Sequence, residues 1–217
     1  MILVEACVES LAAAVAAAAG GAQRIELCAD LAAGGTSPDN ATVAACLSQL
    51  AIPVFVMVRP RAGGFHYSPA QHATMLDEIK RVKDAGARGI VTGALRPDGS
   101  VDETRTRELI AAARPLPVTF HRAFDESRDA ARALETVIAL GATRVLTSGG
   151  AATAPQGAAA IARLVRLAAG RIGILAGGGI NASNVAELVR ATGVREVHLS
   201  TQDDEKVRRV VELVRAW

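Results

Sequence analysis

Short runs of β-branched and other apolar residues alternate along the chain with longer stretches, rich in alanine and leucine, that have a helical period. The runs begin about 22 to 36 residues apart, the length of one strand, one helix and two short loops. The predicted strands are Ile2–Cys7, Arg24–Cys28, Pro53–Val58, Gly89–Gly93, Pro117–Arg122, Arg144–Thr147, Ile172–Ala176 and Arg195–Ser200. Eight such units without a long linker predict an α/β fold, a (βα)₈ TIM barrel that occupies residues 1–217 as a single domain.

The main alternative is a doubly wound open sheet, which also alternates strands with helices. That fold usually has fewer strands, and a Gly-x-Gly-x-x-Gly turn often follows its first strand. Here the first strand continues into Cys7-Val8-Glu9-Ser10, which contains no glycine. The pattern therefore favours the barrel.

Glycine and proline mark the ends of the predicted helices. Before strands two, four, six and eight, a glycine stands where it can end a helix in the left-handed conformation, at Gly21, Gly86, Gly141 and Gly193. A serine before a proline predicts a helix start, and this pair occurs at Ser37-Pro38 and Ser68-Pro69. Ser68 and Gln71 also have the spacing of a capping box. These signals recur in step with the strands and support the eightfold organisation.

The composition is that of a compact soluble protein. Hydrophobic residues make up 50% of the chain and charged residues 21%, which excludes a disordered, collagen-like or coiled-coil chain. The net charge of +2 is too small to indicate a nucleic-acid partner, and three cysteines form no disulfide framework. The apolar run Leu11–Ala19 is too short to cross a membrane, and strand-like residues from Ile2 leave no room for a signal peptide. We therefore expect a cytoplasmic protein without a membrane partner.

Candidate chemistry lies at the carboxyl ends of the strands, where barrels place their functional groups. The first two strands share a Glu-x-Cys pattern, Glu5 with Cys7 and Glu26 with Cys28. Because side chains alternate along a strand, Glu5 and Glu26 are expected to share one layer inside the barrel, and the two cysteines the next. Buried carboxylates need partners. Candidate partners stand at the ends of other strands: Arg59, Arg61, His121, Arg122 and His198.

Each of these groups also has a structural interpretation. A buried cysteine often packs as a small apolar side chain, which is the interpretation we favour for Cys46 on the second helix. Arg59 either binds an anion or neutralises Glu5 or Glu26. The triplet Gly177-Gly178-Gly179 follows the seventh strand, where barrels often bind phosphate through loop amides, but a tight turn explains it equally well.

Long motifs of this chain resemble those of the CutC family, known as copper-homeostasis proteins. The matching segments cover nearly the whole chain in order: Val4-Glu5-Ala6-Cys7-Val8-Glu9-Ser10, Gly20-Gly21-Ala22-Gln23-Arg24-Ile25-Glu26-Leu27-Cys28, Pro53-Val54-Phe55-Val56-Met57-Val58-Arg59-Pro60-Arg61, Pro117-Val118-Thr119-Phe120-His121-Arg122-Ala123-Phe124-Asp125, Leu146-Thr147-Ser148-Gly149, Gly177-Gly178-Gly179-Ile180-Asn181 and Glu196-Val197-His198. The resemblance implies a cytoplasmic (βα)₈ barrel, often oligomeric, that is linked to copper tolerance or trafficking. The chain departs from the family after the eighth strand, where His198-Leu199-Ser200 reaches Asp203 almost at once instead of entering a longer segment.

One hypothesis for the function is copper handling, with a copper ion as the partner. Cu(I) is a soft ion that prefers thiolates, so Cys7 and Cys28 are the expected metal ligands. Met57 or His121 is a candidate for a third ligand. In this hypothesis Cu(I) is the ion that the protein carries.

A second hypothesis is an enzyme, a lyase, isomerase or epimerase, that acts on a small anionic or sugar-like substrate. Arg59 is expected to hold a carboxylate or phosphate, His121 to donate or accept a proton, and Glu26 or Glu5 to act as the base. The further candidates for binding the anion are Arg61, Gly177, Gly178 and Gly179.

Other chemistries and the oligomeric state are also constrained by the sequence. A Schiff-base mechanism is not expected, because Lys80, Lys83 and Lys206 fall in predicted helices away from strand ends. A harder divalent ion has an alternative ligand set in Glu5, Glu26, His121 and His198. Trp217 is a candidate anchor for a homo-oligomer, most simply a dimer.

Overall fold

The computed structural model describes residues 1–201 and 203–215 and has the predicted barrel architecture. Eight parallel strands close in chain order, with each strand paired to the next and the eighth to the first. The strands are β1 (Leu3–Val8), β2 (Arg24–Leu27), β3 (Val54–Met57), β4 (Gly89–Thr92), β5 (Val118–Phe120), β6 (Arg144–Thr147), β7 (Gly173–Gly177) and β8 (Glu196–Ser200). All eight predicted strands are confirmed within two residues at each end.

One α-helix follows each strand and packs on the outside of the barrel. The helices are α1 (Leu11–Ala19), α2 (Asn40–Gln49), α3 (Pro69–Asp84), α4 (Glu103–Ala113), α5 (Ala130–Leu140), α6 (Ala158–Ala168), α7 (Val185–Thr192) and α8 (Asp204–Val214). None of the helices in the described part of the chain has the length and apolar character that crossing a bilayer requires. Trp217 lies outside the described residues, so its part in an oligomer stays a prediction.

The predicted helix-end signals are confirmed with one exception. Ser68 and Gln71 form a complete capping box at the start of α3. The four expected glycines have φ values of +96°, +101°, +93° and +72°, at Gly21, Gly86, Gly141 and Gly193. The prediction that Ser37 caps α2 is wrong, because Asp39 accepts the first-turn amide instead. The hydroxyl of Ser37 donates to Glu78 at 2.6 Å, a contact between distant segments that the local pattern does not encode.

Two apolar cores are separated by the wall of the barrel. The larger one packs outward-facing strand residues, such as Val4 and Ala6, against the helices, and Cys46 is buried in it as expected. The smaller one lies inside the barrel and consists of Cys7, Cys28, Phe55, Met57 and Val91. Both candidate metal-binding cysteines therefore belong to the inner core.

The lower part of the barrel interior is filled by an aromatic ring and two arginines. A side chain on Gly89 would lie 2.5 Å from the ring of Phe55, so the glycine makes room for this ring. The guanidinium groups of Arg24 and Arg144 lie 5.1 Å and 5.4 Å from the ring centroid, at cation–π distance. We call Phe55, Arg24 and Arg144 the barrel floor.

Candidate functional site

A cavity of about 300 Å³ lies above the barrel floor, at the carboxyl ends of the strands. Seven of the residues that line it were predicted from the sequence to have functional side chains: Cys7, Glu26, Met57, Arg59, His121, Arg122 and His198. The volume lies at the lower end of the range of small-molecule sites. The structure thus brings most of the predicted strand-end chemistry together in one place.

The register between β1 and β2 differs from the expectation. Glu5 lies opposite Arg24, and Cys7 lies opposite Glu26. The prediction that Glu5 and Glu26 share one layer is therefore wrong: they are offset by two residues, because strands in a closed barrel are staggered relative to one another. The offset places one carboxylate deep in the barrel and the other beside the Cys7 thiol.

Glu5 belongs to a chain of ion pairs above the floor and does not reach the cavity. Its carboxylate accepts from Arg24 and from Nδ1 of His198, the latter at 2.8 Å. Arg24 and Arg144 both also donate to Glu196, at 2.6 Å and 2.7 Å. Burial opposes ionisation of Glu5, but the hydrogen bonds and charges of His198 and Arg24 outweigh it and lower the pKa of Glu5 to about 2. Glu5 is thus a fixed anion, suited to holding His198 in place.

His198 connects this ion-pair chain to the cavity. Its side chain is buried, yet it lines the cavity. Burial lowers its pKa, but the charge of Glu26 and the hydrogen bond to Glu5 outweigh this effect, so the pKa of His198 is raised above 6.5. Because Nδ1 is engaged by Glu5, Nε2 is the ring nitrogen left for other contacts.

Glu26 is a buried carboxyl group with one unused oxygen. Its Oε1 accepts a hydrogen bond from the thiol of Cys7 at 3.3 Å. Its Oε2 is buried and has no hydrogen-bond partner within residues 1–201 and 203–215. Burial raises the pKa of Glu26, since the charged form loses its hydration. Of the two glutamates predicted as bases, Glu26 is the one in the cavity.

Cys7 and Cys28 form a close pair of free thiols. Their sulfur atoms lie 3.4 Å apart, and Cys28 also donates to the carbonyl oxygen of Val8 at 3.6 Å. Cys7 lines the cavity, whereas Cys28 lies behind it and is fully buried. The hydrogen bond with Cys28, burial and the charge of Glu26 raise the pKa of the Cys7 thiol well above 9.

A second set of potential metal ligands shares Cys7. Ligand atoms of Cys7, Glu26 and His198 all lie within 4.8 Å of one another. Met57, the other proposed third ligand for copper, packs in the inner core with both cysteines. The Cys7 thiol therefore belongs to two groups of potential ligands. One contains the sulfur atoms of Cys28 and Met57, and the other contains the carboxylate of Glu26 and the imidazole of His198.

Arg59 has no carboxylate partner among the described residues. Its guanidinium donates to the carbonyl oxygens of Gly35 and Gly63 at 2.6 Å and 2.7 Å, and it lies 4.7 Å from the ring centroid of Phe65. Its Nε is buried without a partner. Of the two roles left open for Arg59, neutralisation of Glu5 falls to Arg24 instead. Arg59 thus places an unpaired positive charge at the cavity wall.

His121 is a neutral hydrogen-bond donor. Its Nδ1 accepts from the amide of Ala123 at 3.2 Å, so the ring hydrogen is on Nε2. Nε2 is buried and has no hydrogen-bond partner in the part of the chain that the structure describes. Burial, followed by the charge of Arg59, lowers the pKa of His121 to about 3. At neutral pH this ring can polarise an oxygen atom of a ligand by donating a hydrogen bond to it.

The predicted anion-binding residues divide into two groups. Gly178 and Gly179 line the cavity, whereas Gly177 ends β7 and is not among the lining residues. Arg61 also lies outside the cavity wall, and its guanidinium donates to the backbone carbonyls of residues 62, 64 and 66. Only two of the four candidates therefore face the cavity.

Two residues near the site were not anticipated. The expectation that the lysines lie away from strand ends is wrong for Lys206, which lines the cavity and donates to the carbonyl of Ser200 at 2.6 Å. The short connection from β8 to α8 places it there. Asp125 holds the loop after β6 by accepting from the amides of Ser148 and Gly150, both at 3.1 Å. Asp125 lies in the short segment that follows β5, next to the loop after β6, and a carboxylate at this place can bind the amides of the neighbouring loop.

Comparison with known proteins gives a consistent result over most of the chain. A model of the CutC family matches residues 2–203. A family protein CutC of Mesorhizobium japonicum is 48% identical over 202 residues, which cover 93% of this chain and 78% of that protein. The human copper homeostasis protein cutC homolog is 46% identical over 200 residues, covering 92% of this chain and 73% of that protein.

Solved structures agree with the fold. The crystal structure of a CutC protein from Streptococcus agalactiae superposes with a TM-score of 0.88 at 33% identity, covering 93% of this chain and 99% of that one. A phosphoribosylanthranilate isomerase from Thermotoga maritima gives a TM-score of 0.66 at 12% identity, with both chains fully covered. The second likeness concerns the barrel fold alone.

Proposed function

The chain belongs to the CutC family, and we propose that it acts in copper homeostasis by binding Cu(I) through the thiolates of Cys7 and Cys28. The observation that carries this proposal is the distance of 3.4 Å between the two sulfur atoms at the end of the cavity. A soft monovalent ion prefers such a sulfur pair to the oxygen and nitrogen donors nearby. The name of the human relative points in the same direction.

The spacing of the sulfurs favours a three-coordinate copper site. With the zinc–sulfur distance of about 2.3 Å as a guide for a metal–thiolate bond, two sulfurs lie roughly 4.6 Å apart in a linear site and about 4.0 Å apart in a trigonal one. The observed sulfur–sulfur distance of 3.4 Å is closer to the trigonal value than to the linear one, so a trigonal site requires less movement of the two side chains. Met57, which packs with both cysteines, is the sulfur donor best placed to complete it.

Anaerobic titration of the reduced protein with Cu(I), against a competing chelator, tests this proposal. The double variant Cys7→Ser/Cys28→Ser is expected to lose the tight stoichiometric site and bind at least ~100-fold more weakly, since even the loss of an outer partner of a metal site typically costs 10–100-fold. Cys46→Ser is the matched control, because Cys46 is equally buried but belongs to the outer core. Equal Cu(I) affinity in the double variant and the wild type would overturn the proposal.

A second candidate function is acid–base catalysis on a small anionic or sugar-like substrate, as a lyase, isomerase or epimerase. Support comes from two buried donors without partners at one cavity wall, Nε of Arg59 and Nε2 of His121. Arg59 would bind a carboxylate or phosphate, His121 would donate a hydrogen bond to a substrate oxygen, and Glu26 would transfer a proton.

Thermal-shift measurements with phosphate and small carboxylates test the anion-binding half of this candidate. The anion should raise the Tm of the wild type but not that of Arg59→Gln. Arg61→Gln is the matched control, because Arg61 lies outside the cavity wall. A Tm rise that survives in Arg59→Gln and disappears in Arg61→Gln would place the anion at Arg61 instead.

We also propose that the protein works in the cytoplasm and forms a homo-oligomer. The three cysteines of the chain are free, which suits a reducing compartment. Cell fractionation with compartment markers tests the location. Sedimentation of the wild type beside Trp217→Ala tests the assembly, and an unchanged association state in the variant would remove Trp217 as its anchor.

A further inference from the structure

We propose that Cys7, Glu26 and His198 form a second metal site, one for a borderline divalent cation of the Zn²⁺ class, with its fourth coordination position facing the cavity. The site shares Cys7 with the proposed copper site but does not use Cys28. The two proposals can therefore fail separately. Cysteine, carboxylate and imidazole are the three ligand types that such ions accept together.

The spacing of the ligand atoms fits one ion. The three potential donor atoms lie within 4.8 Å of one another, and the Sγ of Cys7 lies 3.3 Å from Oε1 of Glu26. With metal–sulfur and metal–oxygen distances of about 2.3 Å and 2.0 Å, a tetrahedral angle separates sulfur from oxygen by roughly 3.5 Å. The thiol and the carboxylate thus already stand close to the edge length of a tetrahedral site.

The unused oxygen of Glu26 is an independent sign of a ligand. Glu26 is only 2% exposed, and its Oε2 has no hydrogen-bond partner among the described residues, although Glu26 lines the cavity. A buried polar atom without a partner is costly, because its hydration is lost and nothing replaces it. A cation bound by one carboxylate oxygen of Glu26, the thiolate of Cys7 and the imidazole of His198 would satisfy this carboxylate.

His198 is oriented as a metal ligand by a carboxylate behind it. Glu5 accepts from Nδ1 at 2.8 Å, and Arg24 fixes Glu5 in turn. Ligating histidines usually donate their second ring nitrogen to such a partner, which sets the tautomer and the direction of the free nitrogen. Here Nε2 is the free nitrogen, on a side chain that reaches the cavity where Cys7 and Glu26 also meet.

The charges favour a divalent ion at this set of ligands. In the ion-pair chain below, two arginines face two glutamates, so that chain contributes no net charge to the three ligands above it. On metal binding the thiol proton of Cys7 leaves to solvent, together with any proton on Nε2 of His198 or on Glu26, and the thiolate with the Glu26 carboxylate then carries two negative charges. A divalent cation neutralises both, whereas a monovalent ion leaves one negative charge buried.

The fourth position of the ion would face the unpartnered donors of the cavity. Arg59 and His121 line the same cavity as the three ligands. Three protein ligands and one open position is the arrangement that metalloenzymes use to hold a water molecule or a substrate oxygen. The geometry thus assigns the open position to water or to an oxygen of a small anion.

Titration of the reduced, metal-free protein with Co²⁺ tests the site, because cobalt bound to a thiolate gives a charge-transfer absorption in the near ultraviolet. We expect one tight Co²⁺ per chain, displaced by Zn²⁺. Glu26→Gln and His198→Asn should each weaken binding at least tenfold. His198→Asn keeps an N–H close to the position of Nδ1, so the contact with Glu5 is retained while Nε2 is removed. Cys28→Ser is the matched control and should keep the absorption band.

Either of two results would overturn this second site. One is a Co²⁺ affinity that Glu26→Gln and His198→Asn leave unchanged, with circular dichroism confirming that both variants are folded. The other is a thiolate–cobalt band that disappears in Cys28→Ser, which would place the ion between the two cysteines. Loss of Cu(I) binding in Cys28→Ser with retained Co²⁺ binding separates this site from the copper site.

Discussion

The thiol of Cys7 faces the carboxyl group of Glu26 directly across the β1–β2 pair, and it donates to Oε1 at 3.3 Å. This contact places a sulfur ligand and an oxygen ligand side by side at the edge of the cavity. The sulfur of Cys28 lies 3.4 Å from that of Cys7, and a ring nitrogen of His198 lies within 4.8 Å of the ligand atoms of Cys7 and Glu26. The two proposed metal sites therefore share Cys7 and differ in which of its neighbours, Cys28 or His198, completes them.

Acid should destabilise the protein through Glu5. Because the folded-state pKa of Glu5 is about 2 and its usual value is 4.5, its stabilising contribution is complete above pH 4.5 and is lost as the pH falls towards 2. The shift corresponds to about 3 kcal/mol at neutral pH. Urea unfolding from pH 2 to pH 6 should show this loss in the wild type and a flatter profile in Glu5→Gln. Glu212→Gln, at an exposed position, is the control. If the unfolding free energy of Glu5→Gln falls with pH as steeply as that of Glu212→Gln, the assignment is contradicted.

His121 should stay neutral across the physiological range. Its pKa is lowered to about 3 by burial and by Arg59, so its NMR signals should show no titration between pH 4 and pH 8. The variant His121→Gln identifies the signals by their disappearance. A midpoint near neutrality would show that the ring can exchange protons, and His121 would then be a proton shuttle instead of a fixed donor.

Replacing Gly89 with alanine should strain the barrel floor. The new methyl group would meet the Phe55 ring at 2.5 Å, and overpacking of this kind costs about 1–3 kcal/mol. Phe55→Leu in the same chain should recover part of that loss, because the smaller side chain makes room. Urea unfolding of the two single variants and the double variant measures this coupling. Strictly additive effects would mean that the two side chains do not compete for space.

Replacing Asp125 with asparagine should loosen the loop after β6. The carboxylate accepts from the hydroxyl of Thr147 and from the amides of Ser148 and Gly150, and an amide group would turn a donor towards one of these donors. We expect a loss of about 1–3 kcal/mol in unfolding free energy, measured with urea. Thr147→Val removes one contact of Asp125 and also the acceptor of the Gly149 amide, so comparing the two variants separates the part of the hydroxyl from that of the carboxylate. A larger effect of Thr147→Val would shift the role to the hydroxyl.

The strands were predictable because their signal is local and repeated. Each apolar run and each glycine before an even-numbered strand can be read without knowledge of the rest of the chain, as Gly141 and the strand at Arg144 illustrate. The register was not predictable in this way. Whether Glu26 lies opposite Glu5 or opposite Cys7 depends on the stagger that closes the whole barrel.

The partners of the buried charged side chains could not be predicted from the sequence for a similar reason. Arg24 stands at the start of a predicted strand, and no local pattern names its partner, yet it is 3% exposed and bonds Glu5. For Arg59 the sequence left two roles open, anion binding or neutralisation of a glutamate, and its guanidinium donates to carbonyl groups of two loops instead of to either glutamate. The residue types at the site could thus be predicted, but the pairing between them required the three-dimensional closure.

The barrel floor closes the lower end of the cavity. Phe55 with the flanking guanidinium groups of Arg24 and Arg144 fills the interior beneath the cavity, so among the described residues the cavity opens at the carboxyl ends of the strands. Under the proposed function, an ion would therefore have to enter and leave at the same end of the barrel, and its loading and unloading would have to alternate in time.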